Sequence, residues 1–251
     1  MRPRLVIGNW KMHGSLDFIR RLLDELTRSS GDIPESVAIA VCPTHLHLGH
    51  VQHLLAGSRI RLGAQDAHPA PEGAFTGAVA AAMLVEYGVH YVIVGHSERR
   101  HVFAESDALV AQKFAAVLNA GMTPVLCIGE TLEQRQQDIT EEVVLGQLDA
   151  VIDEVGSDAL SGAIVAYEPV WAIGTGQTAT PEQAQAVHRS IREHLHGQAA
   201  AIADHLPILY GGSVKADSAG ALFSQADIDG GLVGGASLKA DEFIAICKTA
   251  D

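Results

Sequence analysis

Three ionisable side chains stand close behind apolar runs: Lys11 in "GNWKM" (8–12), His96 in "VGHSERR" (94–100) and Glu168 in "AYEPVWAIGTG" (166–176). A carboxylate closing a buried strand is partly desolvated, which is expected to raise its pKa and make it a better base near neutral pH. A histidine where a helix begins has its cationic form disfavoured by the dipole, so His96 is expected to act as a neutral hydrogen-bond donor. Lys11 offers a cation for an anionic substrate. Behind Glu168, Pro169 stiffens a segment whose Val170, Trp171, Ala172 and Ile173 could form an apolar lid, with Gly174 and Gly176 giving backbone amides access to an anion. A lid beside a base suits a reactive intermediate that water must not reach. "YGGSV" (210–214) and "GLVGGAS" (231–237) leave backbone N–H groups bare ahead of helix starts, so both loops suit a phosphate. Each feature alone also has a plain structural reading: an ion pair, a solvated lysine, a core histidine, two tight turns.

The elements that would position these residues repeat along the chain. "RLVIGNW", "SVAIAVCP", "RIRLGAQDA", "HYVIVGHS", "MTPVLCIGE", "GAIVAYEPV", "LPILYGGSV" and "GGLVGGAS" read as eight buried strands, with helical patterns between them. In "SLDFIRRLLDELTRSS", Leu16, Ile19, Leu22, Leu23 and Leu26 fall on one helical face. "TPEQAQAVHRSIREHLHG" opens with Thr180 as N-cap, Pro181 at the first helical position and Gln183 completing a capping box. Apolar strands alternating with amphipathic helices imply a parallel sheet, and eight units in 251 residues predict one closed (β/α)8 barrel over 1–251. Chemistry in such a barrel sits where strands end. The residues there are Asn9, Lys11, Gln65, His96, Glu130, Glu168, Ser213, Gly234 and Gly235, with His96 expected opposite Glu168. The connection "HPAPEGAFTG" (68–77) is too polar for core and is expected to project outward.

Bulk properties narrow the function classes. A net charge of −13 weighs against nucleic acid or an anionic membrane as partner. No apolar run is long enough to span a bilayer, and no signal peptide is evident at the start. Three widely spaced cysteines, Cys42, Cys127 and Cys247, suggest no disulfide framework and a reducing, cytoplasmic setting. No Gly-Lys dipeptide occurs, which excludes a P-loop; "GTGQTA" lacks the third glycine of a dinucleotide fingerprint, and "GGSVK" fails as a nucleophile elbow. His45, His47, His50 and His53 walk around a helix with no carboxylate among them, so no metal is expected there.

The segments "GNWKM", "GAFTG", "VGHSERR", "CIGE", "AYEPVWAIGTG", "YGGSV" and "GLVGGASL", in this order, resemble the triosephosphate isomerase family over essentially the whole chain. In that family the base, the neutral histidine and the closing loop are long-known parts. The resemblance implies Glu168 as base, His96 as electrophile and proton shuttle, and Lys11 and Asn9 holding the substrate. It places Gly174, Ser213, Gly234 and Gly235 on the phosphate, with Tyr210 and Ser213 latching the lid. It implies no cofactor and no metal. It also implies a homodimer in which the loop around Phe75 and Thr76 enters the neighbouring subunit. Three positions depart from the family pattern: His13 for asparagine, Gln177 for lysine at the far lid hinge, and Ala78 for glutamate after "TG". The last removes an acid expected to face the partner's Arg99, which should then turn to Glu105 or stay in solvent. A sugar-phosphate epimerase or a barrel kept only for binding are the rival readings. The first needs a metal or second acid/base at the strand ends, and the second predicts erosion of Glu168, His96 or Lys11.

Overall fold

The computed structural model describes residues 2–174 and 177–251. Eight parallel strands close into a barrel in chain order: β1 (Arg4–Asn9), β2 (Val37–Cys42), β3 (Arg61–Ala64), β4 (Tyr91–Val94), β5 (Thr123–Ile128), β6 (Ile164–Tyr167), β7 (Ile208–Tyr210) and β8 (Gly230–Val233). The last strand pairs with the first, Leu5 opposite Gly230. Closure is tight there: Gly230 has φ +139°, and any side chain would run into the Leu5 backbone. The surrounding helices are α1 (Leu16–Ser29), α2 (Leu48–Leu54), α3 (Ala81–Glu86), α4 (Ser97–His101), α5 (Asp107–Asn119), α6 (Leu132–Gln136), α7 (Thr140–Val155), α8 (Pro181–Ala203), α9 (Ala216–Phe223) and α10 (Ala240–Lys248).

The strands are apolar on both faces because both are buried. Leu5, Ile7, Tyr91, Ile93, Val125, Cys127, Ile164, Ala166, Leu209 and Leu232 fill the barrel interior. Their neighbours Val6, Val92, Val94, Leu126, Val165 and Tyr167 pack outward beneath the helices. This strict alternation sets which residue aims inward where each strand runs out. α1 buries Ile19, Leu22, Leu23 and Leu26 as its spacing predicts. Leu16 departs from that reading: at 58% exposure it lies at the helix start, beyond the reach of the barrel wall. α8 opens with the capping box of Thr180 and Gln183 and with Pro181 in its first turn, and it breaks at Ala199. The three cysteines are free and buried, and burial pushes all three thiols up, Cys247 to about 12. No helix among the described residues is long and apolar enough to cross a membrane.

Behind β6 and β7, α8 buries His188 completely. Its ring lies edge-on to Tyr167 at 5.8 Å and tilted to Tyr210 at 6.4 Å. Nδ1 donates to Asp227 O at 3.1 Å, which leaves Nε2 as the lone-pair nitrogen, without a hydrogen-bond partner among the described residues. Burial holds the His188 pKa down at about 4, and the Asp227 hydrogen bond only partly offsets it. An unfolded chain takes up that proton near pH 6.5, so stability falls as the pH drops from about 6.5 to about 4. Between pH 7 and pH 5 the wild type should lose about 2 kcal/mol more than His188→Gln, measured by denaturant titration at both pH values. Equal losses in the two proteins would refute the assignment.

Candidate active site

The inward alternation continues past the strand ends. Ile164 and Ala166 lead to Glu168, Leu5 and Ile7 lead to Asn9 and Lys11, and Leu232 leads to Gly234. Glu168 is 2% exposed, and its Oε1 lies 2.9 Å from His96 Nε2 while its Oε2 accepts the Ser97 N–H at 2.9 Å. Gly211 makes room for it, since a Cβ there would sit 2.8 Å from Glu168 Cγ. His96 caps α4: its Nδ1 accepts the Glu98 N–H at 3.2 Å. A ring nitrogen that accepts carries no proton, so the neutral imidazole has its hydrogen on Nε2, pointing at the carboxylate. The sequence placed these two residues opposite one another; instead they meet across the end of β5, because β4 and β6 are the strands that flank it.

The electrostatics differ from the sequence expectation. Burial pushes the Glu168 carboxyl up, but the electrostatic pull and hydrogen bond of His96, the Ser97 N–H and the Lys11 charge together outweigh it and hold the pKa below its ordinary value. Desolvation alone, argued from a strand end, therefore gave the wrong sign. Both carboxylate oxygens are engaged, so Glu168 must leave these partners to reach a substrate proton.

Lys11 takes a left-handed backbone, φ +48°, which for a residue with a side chain costs roughly 1–2 kcal/mol. Asn9 Oδ1 accepts the Lys11 N–H at 3.0 Å, so the Asn9 NH2 is what remains for a ligand. The Lys11 ammonium is paired with the half-exposed Glu98 at 2.7 Å rather than standing alone. Gly234 lies beside it, with Lys11 Cε 3.5 Å from the position of a Cβ. Asn9, Lys11, Gln65 and His96 border one cavity of about 630 Å³.

Ser213 follows β7, Gly234 and Gly235 follow β8, and Gly174, with φ +69°, is the last residue described before 175–176; all four stand at the same end of the barrel. Gly176, read as part of the lid, lies outside the described residues. Glu130 anchors the start of that lid. Its fully buried Oε1 accepts from Tyr167 OH at 3.1 Å, Trp171 Nε1 at 2.9 Å and Arg135 at 3.2 Å, and the Arg135 guanidinium lies 4.7 Å over the Trp171 ring. Sequence reading placed Glu130 and Gln65 at strand ends but gave them no role. It missed Glu98 altogether, although its position two residues after His96 puts it in the same first helical turn.

On the cavity's outer wall Arg99 pairs with Glu105 at 2.6 Å, as expected in the absence of an acid at Ala78, and also with Asp66 at 3.1 Å. Lys113 joins both carboxylates, at 2.5 and 2.7 Å, which closes a two-plus-two charge cluster within the chain. His45, from the histidine run, bonds Asp66 O, and His47 bonds Thr44. Among the described residues no cluster of three side chains could hold a metal ion.

A family model of triosephosphate isomerase matches residues 4–250. The chain is 57% identical to the triosephosphate isomerase of Ectopseudomonas mendocina, covering 100% of this chain and 99% of that one. It is 56% identical to that of Thiobacillus denitrificans over 100% and 99% of the two chains, and 53% identical to that of Dechloromonas aromatica over the full length of both. The chain belongs to the triosephosphate isomerase family. The closed eight-stranded parallel barrel is that family's fold, and the binding-only and epimerase readings fall away with the match.

Because the folded Glu168 carboxyl is depressed, its contribution to stability is present above the ordinary carboxylate range and is lost as pH falls through the folded pKa. Carbon NMR titration of Glu168 should show a midpoint below the ~4.3 of an ordinary glutamate. His96→Leu removes the strongest opposing partner and leaves burial dominant, so the midpoint should move up. A native midpoint above ~4.3 would mean that burial wins after all.

Proposed function

We propose that this triosephosphate isomerase family member interconverts dihydroxyacetone phosphate and D-glyceraldehyde 3-phosphate through an enediolate, in glycolysis and gluconeogenesis and in the cytoplasm. The observation that carries the residue roles is the 2.9 Å approach of Glu168 Oε1 to an imidazole whose proton is held on Nε2. Glu168, released from the Ser97 N–H, removes a proton from the carbon beside the substrate carbonyl. Neutral His96 donates from Nε2 to the carbonyl oxygen and then relays the proton between the two enediolate oxygens. Lys11 and the Asn9 NH2 face the developing negative charge. Gly174, Ser213, Gly234 and Gly235 bind the phosphate, and the lid that Glu130 anchors through Trp171 excludes water. Each proton transfer in this reading is carried by protein side chains, so it calls for no cofactor or metal.

A C2 homodimer completes the reading. Phe75 is 48% exposed and lies against His68 of its own loop at 4.1 Å, while Met12 and Phe103, which border the cavity, are also exposed. Two copies could each insert the Phe75–Thr76 loop into the other's cavity, against the ends of β1 and β4, which buries both apolar sets at once. With Arg99 satisfied inside its own chain, Ala78 leaves no broken ion pair at this face.

In a coupled assay the purified protein should turn over with or without chelator. Glu168→Asp, which withdraws the carboxylate by about one methylene, should lower kcat by roughly 10²-fold with little change in KM. An unchanged kcat rules Glu168 out as the base. By sedimentation at micromolar concentration the wild type should run as a dimer, and Phe75→Asp should shift it towards monomer with reduced activity. A fully active monomeric wild type defeats the dimer.

A further inference from the structure

Gln65 takes no part in the proton transfers, yet it touches the strained backbone on which one of the charged groups depends. At the end of β3 its Nε2 donates to two carbonyls, Lys11 O at 2.8 Å and Cys42 O at 2.9 Å. An amide NH2 has two hydrogens, so both are spent, one on the exit of β1 and one on the end of β2. The Asn9 side chain holds the other side of Lys11, accepting its N–H at 3.0 Å. The two peptide groups flanking the Lys11 Cα are therefore each tied to a side-chain amide, and between them the φ of +48° is maintained. In this conformation the Lys11 side chain passes beside Gly234, reaches Glu98 at 2.7 Å and acts electrostatically on Glu168. An ordinary right-handed or extended backbone at Lys11 would send the side chain elsewhere.

We infer that Gln65 is a positioning residue: it holds Lys11 in the left-handed conformation and so sets where the ammonium meets the charge of the substrate. The inference rests on the reading of Lys11 as a substrate-binding cation. It explains why an uncharged amide, able to bridge two carbonyls at once, stands at the end of β3. A carboxylate there would repel both oxygens, and an apolar side chain would leave the Lys11 carbonyl unheld.

The test is a double-mutant cycle of wild type, Gln65→Met, Lys11→Met and the double variant. In each protein kcat and KM are measured, together with the affinity for glycerol 3-phosphate by calorimetry and the melting temperature. Gln65→Met should weaken glycerol 3-phosphate binding and lower kcat/KM by about tenfold, chiefly through KM. In the Lys11→Met background it should weaken binding by less than about twofold, while its effect on melting temperature persists. A purely structural role would move the melting temperature and give the same binding loss in both backgrounds, which overturns the inference. So does a Gln65→Met protein that binds normally while Lys11→Met is strongly impaired. A Lys11→Met protein with native binding and kinetics removes Lys11 from the site, and the inference with it. If Gln65→Met does not fold, Gln65→Asn keeps the amide but is one methylene too short to reach both carbonyls, and it is judged by the same outcomes.

Discussion

Removing a carboxylate from water costs several kcal/mol unless partners replace its hydration. Glu168 is withdrawn almost completely and still held ionised, by a neutral imidazole N–H, a backbone N–H and the charge of Lys11. Each partner comes from a different peptide group or strand end. His96 can donate only because the Glu98 N–H occupies its other nitrogen, and the Ser97 N–H is available only because a helix begins there and leaves it without an intrahelical partner. The first turn of α4 thus supplies the cap, the tautomer and half of the carboxylate's solvation. Moving Glu168 towards a substrate exchanges these contacts for others, so the base becomes stronger as it leaves them.

Closure of the barrel makes this geometry possible. A closed parallel sheet delivers all eight strand ends to one face, and the two-residue alternation decides which side chain of each end points to the axis. Asn9, Lys11 and Glu168 lie on the inward count of β1 and β6, and Gly211 and Gly234 lie on that of β7 and β8. There the missing side chains make room for Glu168 and pass close to Lys11. The charged groups and the glycines are parts of one packing solution.

Much of this was legible in the sequence. The strand runs, the capping box at Thr180 and the inward phase of Glu168 follow from period-two and period-3.6 patterns, and these depend on local chemistry. What could not be read locally were quantities set by contacts between strands. The direction of the Glu168 pKa depends on His96 and Ser97 of the β4 exit, which reach across β5, and on Lys11 beyond β1. The φ of Lys11 depends on an amide 54 residues away in sequence. Leu16 sits on the apolar phase of its helix yet stays in solvent, because phase says which way a residue faces but not whether anything is there to meet it. Arg99 was expected either at Glu105, six residues on, or in solvent. Asp66, its second partner, arrives from a different strand and was invisible to spacing.

The buried thiols have a further consequence. Cys42 and Cys127 line the barrel interior and Cys247 lies on the buried face of α10, all with pKa values displaced upward. A thiol that is neither ionised nor reachable does not react with an alkylating reagent while the barrel is closed. Labelling of this protein therefore keeps time with its opening: the rate at which a small electrophile consumes the cysteines is a clock for how often the strands part.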